Sequence, residues 1–391
     1  MGTNPRVTSV DALRGLVMIV MALDHTREYF HAGAMSFQPE DLTRTTAVLF
    51  FTRWITHICA PVFMFTAGIG AFFWLRRGRT VGQLSRFLWK RGLWLVFLEL
   101  TVLHFVMTFS LTKGLVFLSI LWALGWSMVV LGFLVRVPIR TLAVLSIGVI
   151  VLHNFADPVR ASQFGGAAPV WNILHQPGVF RVDGALVLAA YPLVPWFAVM
   201  ALGFCFGAVV TLEPARRRWW MLRIGLGLTL AFLVIRGINI YGDPNPWSTK
   251  MPGMTVLSFL RCTKYPPSLD FLLMTLGPAL LLMAGLDRLT LTKTNPLLVF
   301  GRVPLFYFLV HFFLIHLLTI PFALVRYGHA AFLLNPLPSV GGQAKLYPPD
   351  FGYSLAVVYA VWIGVVTLLY PLCLWFSRVK ERRDDWWLSY L

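Results

Sequence analysis

Charge is scarce in this sequence: 13% of its 391 residues are Asp, Glu, Lys or Arg, against 58% hydrophobic. Soluble domains carry about a quarter charged residues, so a soluble globular class is excluded first. Cysteine is sparse too. The four present, Cys59, Cys205, Cys262 and Cys373, show no Cys-x-x-Cys or Cys/His spacing, so neither a disulfide framework nor a zinc site follows. Also missing are a Gly-rich nucleotide loop, a His-Glu-x-x-His pair and a Gly-x-Ser-x-Gly elbow, which leaves a nucleophile-elbow hydrolase unsupported. No fixed-period or inverted repeat is visible, which weighs against a repeat-built transporter.

What fills the chain instead is apolar runs of roughly 17–25 residues, the length that crosses a hydrocarbon core of about 30 Å. Breaking the sequence at charged and Pro/Gly-rich stretches gives about ten spans: 10–30, 48–75, 91–111, 114–136, 139–155, 186–212, 219–240, 268–289, 297–325 and 351–377. The expected fold is an all-α, polytopic transmembrane helix bundle, one integral membrane domain over 1–391. The first stretch contains Asp11, Arg14 and Asp24 and lacks a small-residue cleavage site, so it reads as a retained helix rather than a signal peptide.

Acidic residues are outnumbered, 16 to 33, for a net charge of +17. The basic residues sit in short clusters between apolar runs and imply no nucleic-acid partner. Alternate connections carry Arg6, the Arg76–Arg91 cluster, Arg136, Arg140, Arg216–Arg218, Arg223, Arg288, Lys293 and Arg378–Arg383. The opposite set, Arg44, Lys113, Arg160, Arg181, Lys250, Arg261, Lys264, Arg326 and Lys345, is roughly half as large, a bias that predicts both termini in the cytoplasm. The longest loops, 156–185, 241–267 and 326–350, then fall outside, where loops of this length often gather substrate. The Trp386-Trp387-Leu388-Ser389-Tyr390 tail reads as an interfacial anchor.

Ionisable residues at membrane depth cost about 2.5–3.5 kcal/mol each on insertion scales, so they pair, face a cavity or act. In the first span Arg14 and His25 are eleven residues apart. That is three turns and about 20°, so they share a helix face roughly 16 Å apart, arginine inward and histidine outward. Arg14 could equally pair with Asp11 and snorkel. Arg53 and His57 lie at i, i+4 in the second span; Glu99 and His104 follow in the third, Arg236 in the seventh, and Arg302, His311 and His316 in the ninth. If these faces converge, His25, Arg53, His57 and Arg236 occupy the outer half, Glu99 and His311 lie deeper, and Arg14 and Arg302 form the inner mouth. An ion pair of Glu99 with Arg53 would account for those two equally well.

A neutral imidazole is a good general base at neutral pH. Two arginines at the inner mouth suit a pyrophosphate such as that of acyl-CoA. Asp24, one residue from His25, cannot share its helical face, so a carboxylate orienting the imidazole has to come from elsewhere or from a local turn.

Arg14-x10-His25, preceded by Val10-Asp11-Ala12-Leu13, resembles the first-helix motif of the family-3 membrane acyltransferases. The stretch from Asp11-Ala12-Leu13-Arg14-Gly15 to Pro61-Val62-Phe63-Met64-Phe65-Thr66-Ala67-Gly68 looks more like the catalytic domain of heparan-alpha-glucosaminide N-acetyltransferase and its bacterial relatives. Asn239-Ile240-Tyr241-Gly242-Asp243-Pro244, Lys264-Tyr265-Pro266-Pro267-Ser268 and Phe300-Gly301-Arg302-Val303-Pro304 resemble a related bacterial membrane family. The resemblance implies a multi-pass acyltransferase of the cell membrane, the bacterial inner membrane by its relatives. It would move an acyl group, acetyl by the closer family, from cytoplasmic acyl-CoA to an extracytoplasmic hydroxyl or amine of a glycan or glycolipid, with no metal. The base role carried from the family-3 enzymes falls on His25. The glucosaminide enzymes place their histidine farther along, where Tyr29-Phe30-His31-Ala32 matches with a gap, so His31 stands as the other candidate.

The expected site is therefore His25, His31, Arg53, His57 and Glu99 for catalysis, with Arg53 or His57 at the oxyanion, and Arg14 and Arg302 for the donor. Membrane lipids are expected partners, a homodimer is one option, and a proton-coupled transporter or flippase is the rival reading. A haem anchor using His104, His153, His311 or His316 is a third.

Overall fold

The computed structural model describes residues 7–110, 114–249, 253–383 and 385–389. Arg6, Lys113, Lys250 and Tyr390, named above, lie outside them.

Helix α1, Thr8–Phe30, is built from Ala, Leu, Val and Met, with Asp11 in its first turn and Arg27 in its last, each charge complementing the helix dipole. At 23 residues it is about 34 Å long. Next come α2 (Ala47–Trp54) and α3 (Cys59–Arg76), joined by a 3-10 turn at Ile55–Ile58 into one rod. Helix α4 (Val81–Leu98) runs through a π-helical turn at Glu99–Leu103 into α5 (His104–Thr108). Strand β1 (Leu115–Leu118) leads to α6 (Ile120–Leu134) and α7 (Ile139–Leu152). Helix α8 (Ala168–Leu174) and the hairpin of β2 (Gly178–Val182) and β3 (Ala185–Ala189) precede α9 (Trp196–Val210) and α10 (Pro214–Ile238). The chain ends in α11 (Thr255–Leu260), α12 (Leu269–Leu286), α13 (Pro296–Arg302), α14 (Pro304–Tyr327) and α15 (Leu355–Arg382).

Among the described residues seven rods are long and apolar enough to cross a membrane: 47–76, 81–108, 139–156, 214–238, 269–286, 304–327 and 355–382. Around them runs a belt of exposed apolar side chains, among them Val144 on α7, Leu230 and Val234 on α10 and Ile363 and Trp375 on α15. Such a belt fits lipid rather than water. Helix α1 is of spanning length but charge-rich. It sits at the centre, packed against α3, α12, α13, α14 and α15.

The fold is mostly helical, with one departure from the all-α expectation: β1, β3 and β2 form a small sheet in that order, β1 parallel and β2 antiparallel to β3. Two expected spans, 114–136 and 186–212, thus begin as strands. Gly114 and Gly184 bound those Leu/Val runs, and a short apolar run is equally compatible with strand or buried helix. What remains of each is a 15-residue helix, α6 or α9, about 22 Å long and shorter than the hydrocarbon core. The expected span 297–325 breaks at Val303 (φ −126°, ψ 48°), because Pro304 disfavours a helical residue before it.

One close approach positions the site. A Cβ on Gly15 would lie 1.8 Å from the Leu297 carbonyl oxygen, and one on Gly301 equally close, 1.8 Å, to that of Asp11. Only glycine lets α1 and α13 cross at this distance, as small residues do between membrane helices. The crossing sets Arg14 and Arg302 beside one another.

Candidate active site

Arg14 and Arg302 line a single cavity of about 350 Å³ together with Arg77 and Lys380. Arg14 donates to the Thr66 carbonyl and lies 3.7 Å from Asp11, the i, i+3 partner expected for it. Arg302 pairs with Glu381 at 2.9 Å, while its buried Nε finds no acceptor. Four cationic side chains around one opening make a seat for a polyanion.

From this basic mouth a file of cavities follows α1. Arg14, Gly70 and Trp74 also line the next chamber, an apolar one of about 260 Å³ walled by Met18, Phe63 and Phe308. Phe63, Ile120 and Phe308 pass from it into a throat of about 40 Å³, where His25, Asp24, Tyr191 and Lys264 appear. Those four residues in turn line an outer chamber of about 470 Å³ under the long loops. Arg14 and His25, on one face of one helix, thus mark the two ends of this path.

At the far end His25 Nδ1 lies 2.8 Å from His311 Nε2 on α14. The protons of this pair follow from its partners. His311 Nδ1 lies 3.0 Å from the Tyr307 carbonyl oxygen, which only accepts, so His311 carries its proton on Nδ1. Its Nε2 is then an acceptor, and His25 must donate through Nδ1. His25 Nε2 is left with its lone pair, the form a general base requires. Phe312 stacks on the His25 ring at 4.0 Å and fixes its plane. The orienting group that the first helix could not supply is therefore an imidazole held by a backbone carbonyl.

Beside the pair stands an ionic wall. Asp24 binds Arg27 at 3.1 Å and accepts from Arg53, and Glu28 lies 3.6 Å from Arg27. Arg53 and His57 reach the same Glu40 oxygen, at 2.9 and 3.1 Å, so their i, i+4 spacing survives the 3-10 turn between them. Burial alone would raise the Glu40 carboxyl, but Arg53 and the His57 hydrogen bond outweigh it and hold it well below the usual carboxylate range. Asp24 and His25 both line the outer chamber despite being adjacent in sequence.

Several expected residues sit elsewhere. His57 is buried against Phe271, behind Glu40, and does not line the chamber. Glu99 accepts from the Ser119 backbone and hydroxyl, both at 3.0 Å, and from the Trp122 backbone at 3.2 Å, which anchors the start of α6. It is not the partner of Arg53. Arg236 is spent on the carbonyls of Asn245, Ser258, Phe259 and Arg261 and on Asp270. His31 lies past the end of α1, its Nδ1 accepting from the Gly33 backbone; burial and then Arg27 lower its pKa below the ordinary histidine value. It lines neither the throat nor the outer chamber. His153 and His316 are each held between two backbone carbonyls. Among the described residues no group of three or more His, Cys, Asp or Glu could hold a metal.

With this geometry in hand, the comparison with known families is decisive: a family model of the catalytic domain of heparan-alpha-glucosaminide N-acetyltransferase matches residues 6–241. The chain belongs to this family. No curated protein matches it. Membership assigns it to the membrane acetyltransferases; the match concerns the glucosaminide N-acetyltransferase family and not the family-3 enzymes. The matched residues include Arg14, His25 and Arg53, whereas Lys264 and His311 lie beyond them.

Lys264 and Tyr191 in the throat have no counterpart among the expected site residues. Lys264 belongs to the Lys264-Tyr265-Pro266-Pro267 passage in the loop before α12, where it lies 5.3 Å over the Tyr265 ring. A lone loop lysine gives no sequence signal that it sits beside a helix that begins more than two hundred residues earlier.

Proposed function

We propose that this protein transfers an acetyl group from acetyl-CoA, bound at the basic mouth on the cytoplasmic side, to a hydroxyl or amine of an extracytoplasmic glycan or glycolipid. The observation that carries the reading is the file of cavities along α1, from four cations to an unprotonated imidazole nitrogen. Its length of roughly 16 Å between Arg14 and His25 suits an extended pantetheine arm. Arg14, Arg77, Arg302 and Lys380 hold the phosphates, and the apolar chamber takes the arm.

In the throat the acceptor O–H or N–H gives its proton to His25 Nε2 as the oxygen or nitrogen attacks the thioester carbonyl carbon. His311 steadies the resulting imidazolium through the His25 Nδ1 hydrogen bond. Lys264, in place of Arg53 or His57, offsets the oxyanion of the tetrahedral intermediate, a role favoured by the narrow, water-poor throat. As the C–S bond breaks, the thiolate takes the proton from His25 and leaves as CoA-SH. Atoms and charge then balance, and the imidazole is neutral again.

The test uses labelled acetyl-CoA with the protein in sealed vesicles. Ala67→Trp, which plugs the apolar chamber, is expected to stop product formation while leaving the fold and outer chamber intact. Unimpaired transfer through the plugged protein would contradict the path. Substrate that crosses unacetylated would favour the transporter reading instead.

A further inference from the structure

A further cavity adjoins the outer chamber and has no part in the steps above. It measures about 750 Å³ and lies between the small sheet and the α5 end of the α4–α5 rod. Strand alternation explains its wall. In register, Val116 pairs with Val187, Phe180 with Val187 and Val182 with Ala185, so these apolar side chains share one face of the sheet, and that face lines the cavity. Leu188 and its partner Phe117 belong to the other face and line the outer chamber that holds His25. The sheet is a partition, apolar on one side and facing the reactive chamber on the other.

The partition ends at the β1 edge. Phe117 and Met107 line both cavities and so stand between the two there. The wall carries little charge; Glu99 is engaged by α6, and Asp183 sits at the hairpin turn. The rim is largely apolar: exposed Leu100 and Val182 line the cavity beside Asp183 at the hairpin turn, and exposed Val102 and Phe105 follow Leu100 along the rod. An opening framed by exposed aliphatic and aromatic side chains, at the end of a membrane rod, gives onto lipid rather than water.

We propose that this cavity seats the apolar chain of the acceptor, which is a membrane amphiphile and not a free soluble glycan. The chain lies between the sheet and α5; the head passes Met107 and Phe117 and presents its hydroxyl or amine to His25. This rests on the acetyl-transfer reading, and it specifies the acceptor class within it.

Two probes test it in lipid nanodiscs with labelled acetyl-CoA: methyl glucosaminide and dodecyl glucosaminide, both with a free amine. The dodecyl compound is expected to show a KM at least about tenfold lower. Ala185→Trp and Val116→Trp, which fill the cavity from different strands, should each erase that advantage and leave the methyl compound unaffected. Because chain partitioning into the nanodisc alone would lower KM equally in all variants, an advantage that survives both fillings overturns the proposal, as do equal KM values in the parent protein. A dodecyl glucosaminide with a diazirine at the chain end supplies a readout independent of activity. Labelling of residues 115–118 and 185–189 supports the seat, and labelling confined to the lipid faces of α7, α10 and α15 overturns it. Transfer to both probes with labelling only on those faces removes the inference but keeps acetyl transfer; sheet labelling without transfer to either probe removes the acceptor role and the transfer reading together.

Discussion

The two ends of α1 handle charge in opposite ways. At the Arg14 end, four cations gather around one mouth with Asp11 and Glu381 as their acidic neighbours, and the surplus is positive. At the His25 end, Asp24, Glu28 and Glu40 are paired with Arg27 and Arg53 in one network, Lys264 lines the same throat, and the reacting group is an uncharged imidazole. An anionic donor needs a mouth of net positive charge. A base needs its neighbours' charges already spent, because a free carboxylate or guanidinium beside it would shift or consume its proton. One helix meets both demands by keeping the ends about 16 Å apart.

Substitutions can break this contrast from either side. The largest expected effect is at His25: His25→Ala removes the base and should lower kcat by about 10³–10⁴-fold with an unchanged elution profile and acetyl-CoA affinity. Arg53→Ala leaves Asp24 and Glu40 short of a cation and should destabilise the protein by about 3–5 kcal/mol, read as a lower unfolding temperature in detergent. His311→Phe keeps an aromatic ring but deletes the acceptor that fixes the His25 tautomer; kcat should fall about 10²-fold while KM for acetyl-CoA stays put. At the other end, Arg302→Ala should raise that KM about tenfold and leave turnover on a short acetyl thioester lacking the nucleotide unchanged.

The smallest effect concerns Glu40, whose folded carboxyl titrates well below its ordinary value. A depressed folded pKa stabilises above the unfolded value, about 4.3, and that stability drains away as pH falls from there through the folded pKa. The Glu40 contribution to the unfolding temperature should therefore be constant near neutrality and fall away in acid, and Glu40→Gln should lose that acid-dependent component.

Much of this was legible before the fold was in hand. The shared face of Arg14 and His25 follows from helix periodicity, and that of Arg53 and His57 from their i, i+4 spacing. What periodicity does not carry is which helices touch. His311 meets His25 only because α14 packs on α1, and Lys264 reaches the throat only because the loop before α12 folds in against it. Glu99 illustrates the converse: a buried carboxylate in mid-span reads as catalytic, yet it anchors the start of α6, a start that an apolar run such as Leu115–Leu118, as compatible with helix as with strand, does not mark. The sheet that partitions the outer cavities was invisible for the same reason, since Leu/Val runs between glycines fit a span as well as a strand.

The path along α1 is tested most directly by sidedness. Inside-out vesicles bearing the protein, given labelled acetyl-CoA outside and glucosaminide acceptor sealed within, should accumulate acetylated product in the lumen, and His25→Ala vesicles should not. Product formed only when acceptor and acetyl-CoA share one side of the membrane would contradict the account.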